Sequence, residues 1–326
     1  MSAVFLNPRV SKRPPPLSDQ LRARVLDLRR SHSLSRVAAL TALPLGTVKT
    51  ICSRSGAFRD NEQHRALFTL PPIKLSTNTG VSVPELPPRK VVTGDKEIDA
   101  VLWLHSVIRT GQADLISKAM EAAKRIKTPL KELEKRYRDH IVRTNPNNMF
   151  AALSTFGFCD LEDMAKSAVE KMVRQKEAHA RFGDDVFGFT PAEQFCEDTL
   201  VDVGLCKNGW SLDAKQVDSR FGAHPALRPH TLADCLHELS YWSELFTLRY
   251  AFGTAAGDPG MSVQARDDYT FRLLAKIRAR TPTEAVTVLR HMAKHELMDR
   301  EETNDILLNL IGGRANACLG GGTDVT

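Results

Sequence analysis

Residues Leu34 to Ser53 read LSRVAALTALPLGTVKTICS, and their spacing decides how the chain is understood. Leu34, Val37, Ala38 and Thr41 recur at three and four residues, the period of one helical face. Ser33 stands just before them, a side chain able to accept a hydrogen bond from the first turn. Ala42-Leu43-Pro44 then breaks the pattern, because proline has no N–H and disfavours helical geometry in the residue before it. A second helix is expected from about Leu45, with Val48 and Ile51 facing inward, ending near Ser55-Gly56, where glycine suits a left-handed cap. Two short helices joined by a tight turn, with the small Ala38 where they cross, have the spacing of a helix-turn-helix.

Upstream, Leu21, Val25 and Leu28 follow Ser18 at helical spacing, with Arg22, Arg24, Arg29 and Arg30 mostly on the other faces. This predicts a three-helix head over residues 17–58. The segment Leu43-Pro44-Leu45-Gly46-Thr47-Val48-Lys49-Thr50 resembles the start of the recognition helix in the promoter-reading domain of extracytoplasmic sigma factors and in resolvase-type helix-turn-helix modules. The resemblance is confined to residues 17–58 of the 326. It implies that the helix Leu45–Ser53 enters the major groove of double-stranded DNA, with Gly46, Thr47, Lys49, Thr50 and Ser53 against base edges. Ala42 departs from the pattern, since glycine commonly occupies the turn; here the turn either accepts a less favourable backbone or takes another shape.

The chemistry of these residues agrees with that reading. Lys49 and Arg54 can donate to guanine acceptors or phosphates, and Thr47 and Thr50 can meet a thymine methyl or a phosphate. Arg29, Arg30 and Arg36 are expected to grip the backbone beside the groove. Charge is distributed to match. The first 60 residues hold 11 lysines and arginines against Asp19, Asp27 and Asp60, a net of +8. The other 266 hold 34 bases and 36 acids, so the excess of +6 is confined to the N-terminal fifth. A small cationic module attached to a nearly neutral body suits contact with a polyanion.

The remainder reads as mainly α. Aromatic residues make up 6% of the chain, and alternating β-branched runs are scarce. Residues 1–16, ending in Arg13-Pro14-Pro15-Pro16, are expected to form a basic arm. Pro71-Pro72, Pro84, Pro87 and Pro88 mark residues 59–95 as a linker, with one short helix at Glu62 to Leu67. A larger all-α domain is expected over residues 96–311, with helices at Ile98–His105, Ala113–Ile126, Leu130–Ile141, Leu161–Ala180, Leu232–Phe252 and Tyr269–Ile277. Thr190-Pro-Ala-Glu193 and Thr281-Pro-Thr-Glu284 both match a capping box with proline at the first helical position. A glycine-rich tail is expected over 312–326.

No constellation points to catalysis or to a metal or other cofactor. His291 and His295 lie four apart, but H-M-A-K-H-E is not the H-E-x-x-H of a zinc protease. The cysteines at 52, 159, 196, 206, 235 and 318 fit no zinc module and read as reduced, mostly buried thiols. Asp184, Asp185, Glu193 and Glu197 lack the acid-x-lysine arrangement of a nuclease and are explained by helix dipoles. Lys124 to Arg138 form a second basic cluster, but Glu132, Glu134 and Asp139 alternate with it as on a solvated helix face. Trp103, Trp210, Tyr241 and Trp242 are assigned to packing. No stretch approaches the length of a membrane helix, so a cytoplasmic protein is expected.

The expected function is sequence-specific binding of double-stranded DNA in transcription regulation, in a bacterial, phage or plasmid setting. The body would supply homodimerisation, effector sensing or a protein-partner surface. A second reading is a DNA-tethered adaptor for plasmid or phage replication, partition or packaging. A third is a DNA-directed enzyme with an unrecognised catalytic body.

Overall fold

A computed structural model describes residues 17–56, 58–74, 85–148, 150–206, 209, 211–253 and 258–318. Among these the chain is mainly α. Its helices are α1 (Asp19–Ser31), α2 (Leu34–Thr41), α3 (Leu45–Ser55), α4 (Glu62–Leu67), α5 (Lys96–Ile108), α6 (Ala113–Ala123) and α7 (Leu130–Thr144). There follow α8 (Leu161–Phe182), α9 (Pro191–Leu200), α10 (Ala214–Gly222), α11 (Leu232–Tyr250), α12 (Met261–Leu274), α13 (Pro282–Lys294) and α14 (Thr303–Cys318). No strand occurs among the described residues, where β pairing is limited to an isolated antiparallel bridge between Leu205 and Leu212. None of the described helices is long and apolar enough to cross a membrane.

Side chains set the helix starts. Ser18 Oγ accepts from the Leu21 N–H at 3.3 Å, and Ser33 Oγ from Arg36 at 3.2 Å, each satisfying a donor that the first turn leaves unpaired. At α9 the reciprocal box is complete: Thr190 accepts from the Glu193 N–H, and Glu193 accepts from the Thr190 N–H. At α13 only the forward bond forms. Thr281 accepts from the Glu284 N–H, while the Glu284 carboxylate instead takes the N–H groups of Arg280 and Ala233.

The chain forms two compact units, neither continuous in sequence. The described residues among 1–69, 190–242 and 260–326 make the first, and those among 70–189 and 243–259 the second. Residues 59–95, read from their prolines as a linker, are therefore shared out. Those up to 69 belong to the first unit, where α4 buries His64 and Phe68 follows it into the core.

In the first unit, α1, α2 and α3 close on Val25, Val37 and Val48, all fully buried, with Leu28, Leu34, Ala38, Leu43, Ile51 and Cys52 around them. Between α2 and α3 the Leu43 N–H reaches back to the Ala38 carbonyl at 3.1 Å, a Schellman-type closure. Ala42 adopts φ 52° and ψ 29°, so the turn takes the left-handed shape at a residue that carries a Cβ.

A second centre of the same unit is polar. Asp234, at the start of α11, is buried and accepts from the N–H groups of Asn61, His230 and Thr231 at 3.0 to 3.2 Å and from Arg65 Nε at 2.7 Å. One turn later Glu238, also buried, accepts from Arg266 Nε at 2.6 Å, Thr270 Oγ1 at 2.8 Å and His64 Nε2 at 2.6 Å. The Arg266 guanidinium lies 4.7 Å from the ring centre of Phe221, 5.0 Å from Phe68 and 5.1 Å from Tyr269, an aromatic cage that favours the charge. Burial alone would push the Glu238 carboxyl up; the charge of Arg266 and the bonds from His64 and Arg266 outweigh it and hold the group below the usual carboxylate range.

The second unit builds an apolar core from Ile98, Val101, Ile108, Ile116, Leu133, Phe158 and Leu161. Buried His105 bonds the Phe158 carbonyl through Nε2 at 3.1 Å. A smaller cluster joins Ala178, Val186 and Leu248 with Leu70, Phe182 and Phe252. Across the exposed face of α7, Arg136 donates to Glu132 at 2.6 Å and Arg138 to Glu134 at 3.1 Å. These are the i to i+4 pairs of a solvated helix.

Several elements differ from expectation. α12 begins at Met261, eight residues before the predicted Tyr269, and α10 was not predicted. α14 runs through Gly312 and Gly313 to Cys318, so this part of the expected tail is helical. The basic arm 1–16, residues 319–326 and Trp210 lie outside the described residues.

Candidate nucleic-acid interface

α3 starts at a proline that cannot cap with its side chain; the Thr47 and Val48 N–H groups turn back to the Pro44 carbonyl at 2.9 and 3.1 Å. From there the helical period sorts the residues. Val48 is fully buried, Ile51 and Cys52 are half-buried, and Gly46, Lys49, Thr50, Ser53 and Arg54 are exposed, with Thr47 between the two groups. Neither α2 nor α3 contains an acid, so no carboxylate on these two helices competes for Lys49 or Arg54.

Gly46 is informative because packing does not demand it. A Cβ built there would meet no heavy atom within 4 Å, and the backbone is not in the left-handed region. The absence of a side chain therefore leaves a bare stretch of helix open to close approach from outside. Thr50 Oγ1 donates to the Gly46 carbonyl at 2.8 Å, which engages the hydroxyl proton and leaves oxygen lone pairs and a methyl for a partner. Ser53 Oγ accepts from Arg59 at 3.1 Å, adding a guanidinium that the sequence reading did not include.

A groove of about 630 Å³ lies along α1 and α3. It gathers Gly46, Thr47, Thr50 and Arg54 with Arg22, whose guanidinium is 3.5 Å from exposed Asp19. Arg22 was legible only as one base among several on the polar side of α1. Lys49, Ser53 and Arg36 do not line this groove but are exposed, Arg36 in the first turn of α2.

Arg29 is placed elsewhere. It donates to the His32 carbonyl at 2.9 Å, and its guanidinium sits 5.7 Å from the centre of the Phe58 ring, in a different pocket. The side chain of Arg30 lies outside the described residues. Burial pushes the Cys52 thiol on the inner side of α3 upward, against the nearby charge of Arg29.

Other side chains considered for chemistry are accounted for by packing. The buried thiols of Cys196 and Cys235 are pushed well up by burial and stay protonated. The rings of His291 and His295 lie 4.5 Å apart centre to centre, and burial holds the His291 imidazole down at about 4. Among the described residues no group of three or more histidines, cysteines or acids could hold a metal ion. Trp242 and Tyr241 are buried, whereas Trp103 is half-buried and donates to the Pro87 carbonyl at 2.9 Å. Set against models of known families, curated proteins and solved structures, the chain matches none.

Proposed function

We propose that this protein is a sequence-specific double-stranded DNA-binding protein that regulates transcription, reading the major groove with α3. The observation that carries the proposal is the outer face of α3: Gly46, Lys49, Thr50, Ser53 and Arg54 are exposed on a helix held from behind by fully buried Val48. A helix of this kind can present donors to base edges while its neighbours contact phosphates. Gly46 permits close backbone approach, and Arg22, Arg54 and Arg59 supply positive charge around it. One short recognition helix seldom gives tight specific binding alone, so two copies reading two half-sites about 10 bp or a multiple apart form the working unit.

Selection of binding sites from a random duplex pool with the full chain tests this reading. The expected result is an enriched motif with two related half-sites, and loss of about 1 to 3 kcal/mol per removed base contact in the Lys49→Ala, Thr50→Ala double variant. Absence of any enriched motif, or equal affinity of the double variant for the selected site, overturns it.

A further inference from the structure

The pocket that takes Arg29 away from the α3 groove has a composition that calls for an anion. Its volume is about 470 Å³, within the range of small-molecule sites. Four arginines line it, Arg29, Arg228, Arg278 and Arg280, together with His230, and no acidic residue does among the described residues. These residues come from α1, from the segment before α11 and from the connection between α12 and α13.

The charge is only partly balanced. Arg280 is paired, with Asp60 at 2.8 Å and Glu284 at 2.9 Å. Arg29 uses one N–H on the His32 carbonyl. Arg228 and Arg278 form no ion pair with any acid among the described residues. Half-buried arginines without an acid partner that line one pocket favour a negative occupant, and their forked donors fit tetrahedral or planar oxyanions. The rest of the lining is mostly apolar, with Phe58, Ile277, Ala279 and two prolines, and includes Thr231, whose hydroxyl donates to Asp60 at 2.9 Å. An oxyanion joined to a ring or hydrocarbon matches both halves.

We infer that this pocket binds a small organic phosphate, its phosphoryl group held by Arg228 and Arg278 and its organic part against Phe58 and Ile277. A phosphate monoester carries close to two negative charges at neutral pH and several acceptor oxygens, more than a single carboxylate offers to several arginines. Arg29 belongs to α1, and Phe58 follows the Gly56 cap of α3. A ligand there touches the helices that carry the α3 face, so it also acts as an effector. That regulatory role rests on the DNA-binding reading; the binding itself does not.

Calorimetry of the full chain with AMP, inorganic phosphate and citrate tests the inference, each with the wild type and the Arg228→Gln, Arg278→Gln double variant. The expected result is saturable AMP binding, weaker binding of inorganic phosphate at the same site, and at least a roughly tenfold loss of AMP affinity in the variant, about 1.4 kcal/mol. The Arg228→Lys, Arg278→Lys pair keeps the charge but not the fork and is expected to fall between the two, which separates recognition from a folding defect. No AMP binding, AMP binding unchanged in both variants, or citrate bound more tightly than AMP overturns the inference. Duplex affinity is measured in parallel. If the double variant loses duplex binding and its salt dependence while AMP does not bind the wild type, the arginines are DNA-phosphate contacts and the inference fails. If AMP binds as expected and no duplex does, the pocket stands and the DNA reading falls.

Discussion

Glu238 and Arg266 face each other as a fully buried, two-point ion pair: Nε donates to Oε1 at 2.6 Å and a terminal nitrogen to Oε2 at 2.8 Å, with no solvent access to either side chain. Removing one partner strands the other. Glu238→Ala is expected to destabilise the chain by about 3 to 5 kcal/mol, far more than an exposed pair would. Urea unfolding measures it; a loss under about 1 kcal/mol would mean that the charge is solvated.

The same carboxylate predicts an acid limit. Glu238, Asp234 and Asp218 are each held below their ordinary values by cationic partners, with backbone N–H groups also helping at Asp234, against a burial effect of opposite sign. A depressed carboxyl stabilises the fold above its unfolded value and loses that contribution as the pH falls through and below it. Stability is therefore expected to decline from about pH 4.5 downward. A flat unfolding midpoint between pH 5 and about 3 would contradict this assignment.

Ala42 holds φ at 52°, where its Cβ crowds the backbone. Ala42→Gly relieves that strain, though glycine also gains freedom in the unfolded chain. The expected net effect is a stabilisation of about 0.5 to 1 kcal/mol, read as a higher thermal midpoint. A lower midpoint would show that the turn is not strained.

Gly46 separates stability from recognition. Space is open around it, so Gly46→Ala is expected to strengthen α3 by about 0.5 to 1 kcal/mol. On the proposed DNA-binding reading, the added methyl stands where a duplex would approach the helix, and specific DNA affinity is expected to fall by roughly tenfold. Higher stability with undiminished affinity would remove Gly46 from the interface.

The legible parts of this fold are those written in neighbouring residues. Ser18, Ser33 and Thr190 cap the helices that follow them, and the triplet Val25, Val37 and Val48 is visible as the apolar phase of three short amphipathic stretches. The exposed face of α3 follows from the same period. What escaped depends on partners far along the chain. The expected start at Tyr269 falls eight residues inside α12, whose Arg266 is buried against a glutamate 28 residues earlier. Residues 60 to 69 read as linker because Asn61 and His64 bond side chains far along the chain, Asp234 and Glu238, 173 and 174 positions away. The arginine-lined pocket draws on four separated segments, which no local window contains.

The pairing of α4 with α11 and α12 bears on synthesis of the chain. The valine cluster of α1 to α3 can gather once the first sixty residues have left the ribosome, but His64 and Phe68 must wait for Glu238, Trp242 and Arg266. At common elongation rates that interval of about 200 residues lasts roughly 10 to 40 s. During it an aromatic side chain and an imidazole destined for the interior lack the residues that bury them. A chain interrupted before residue 266 lacks the guanidinium that completes this centre.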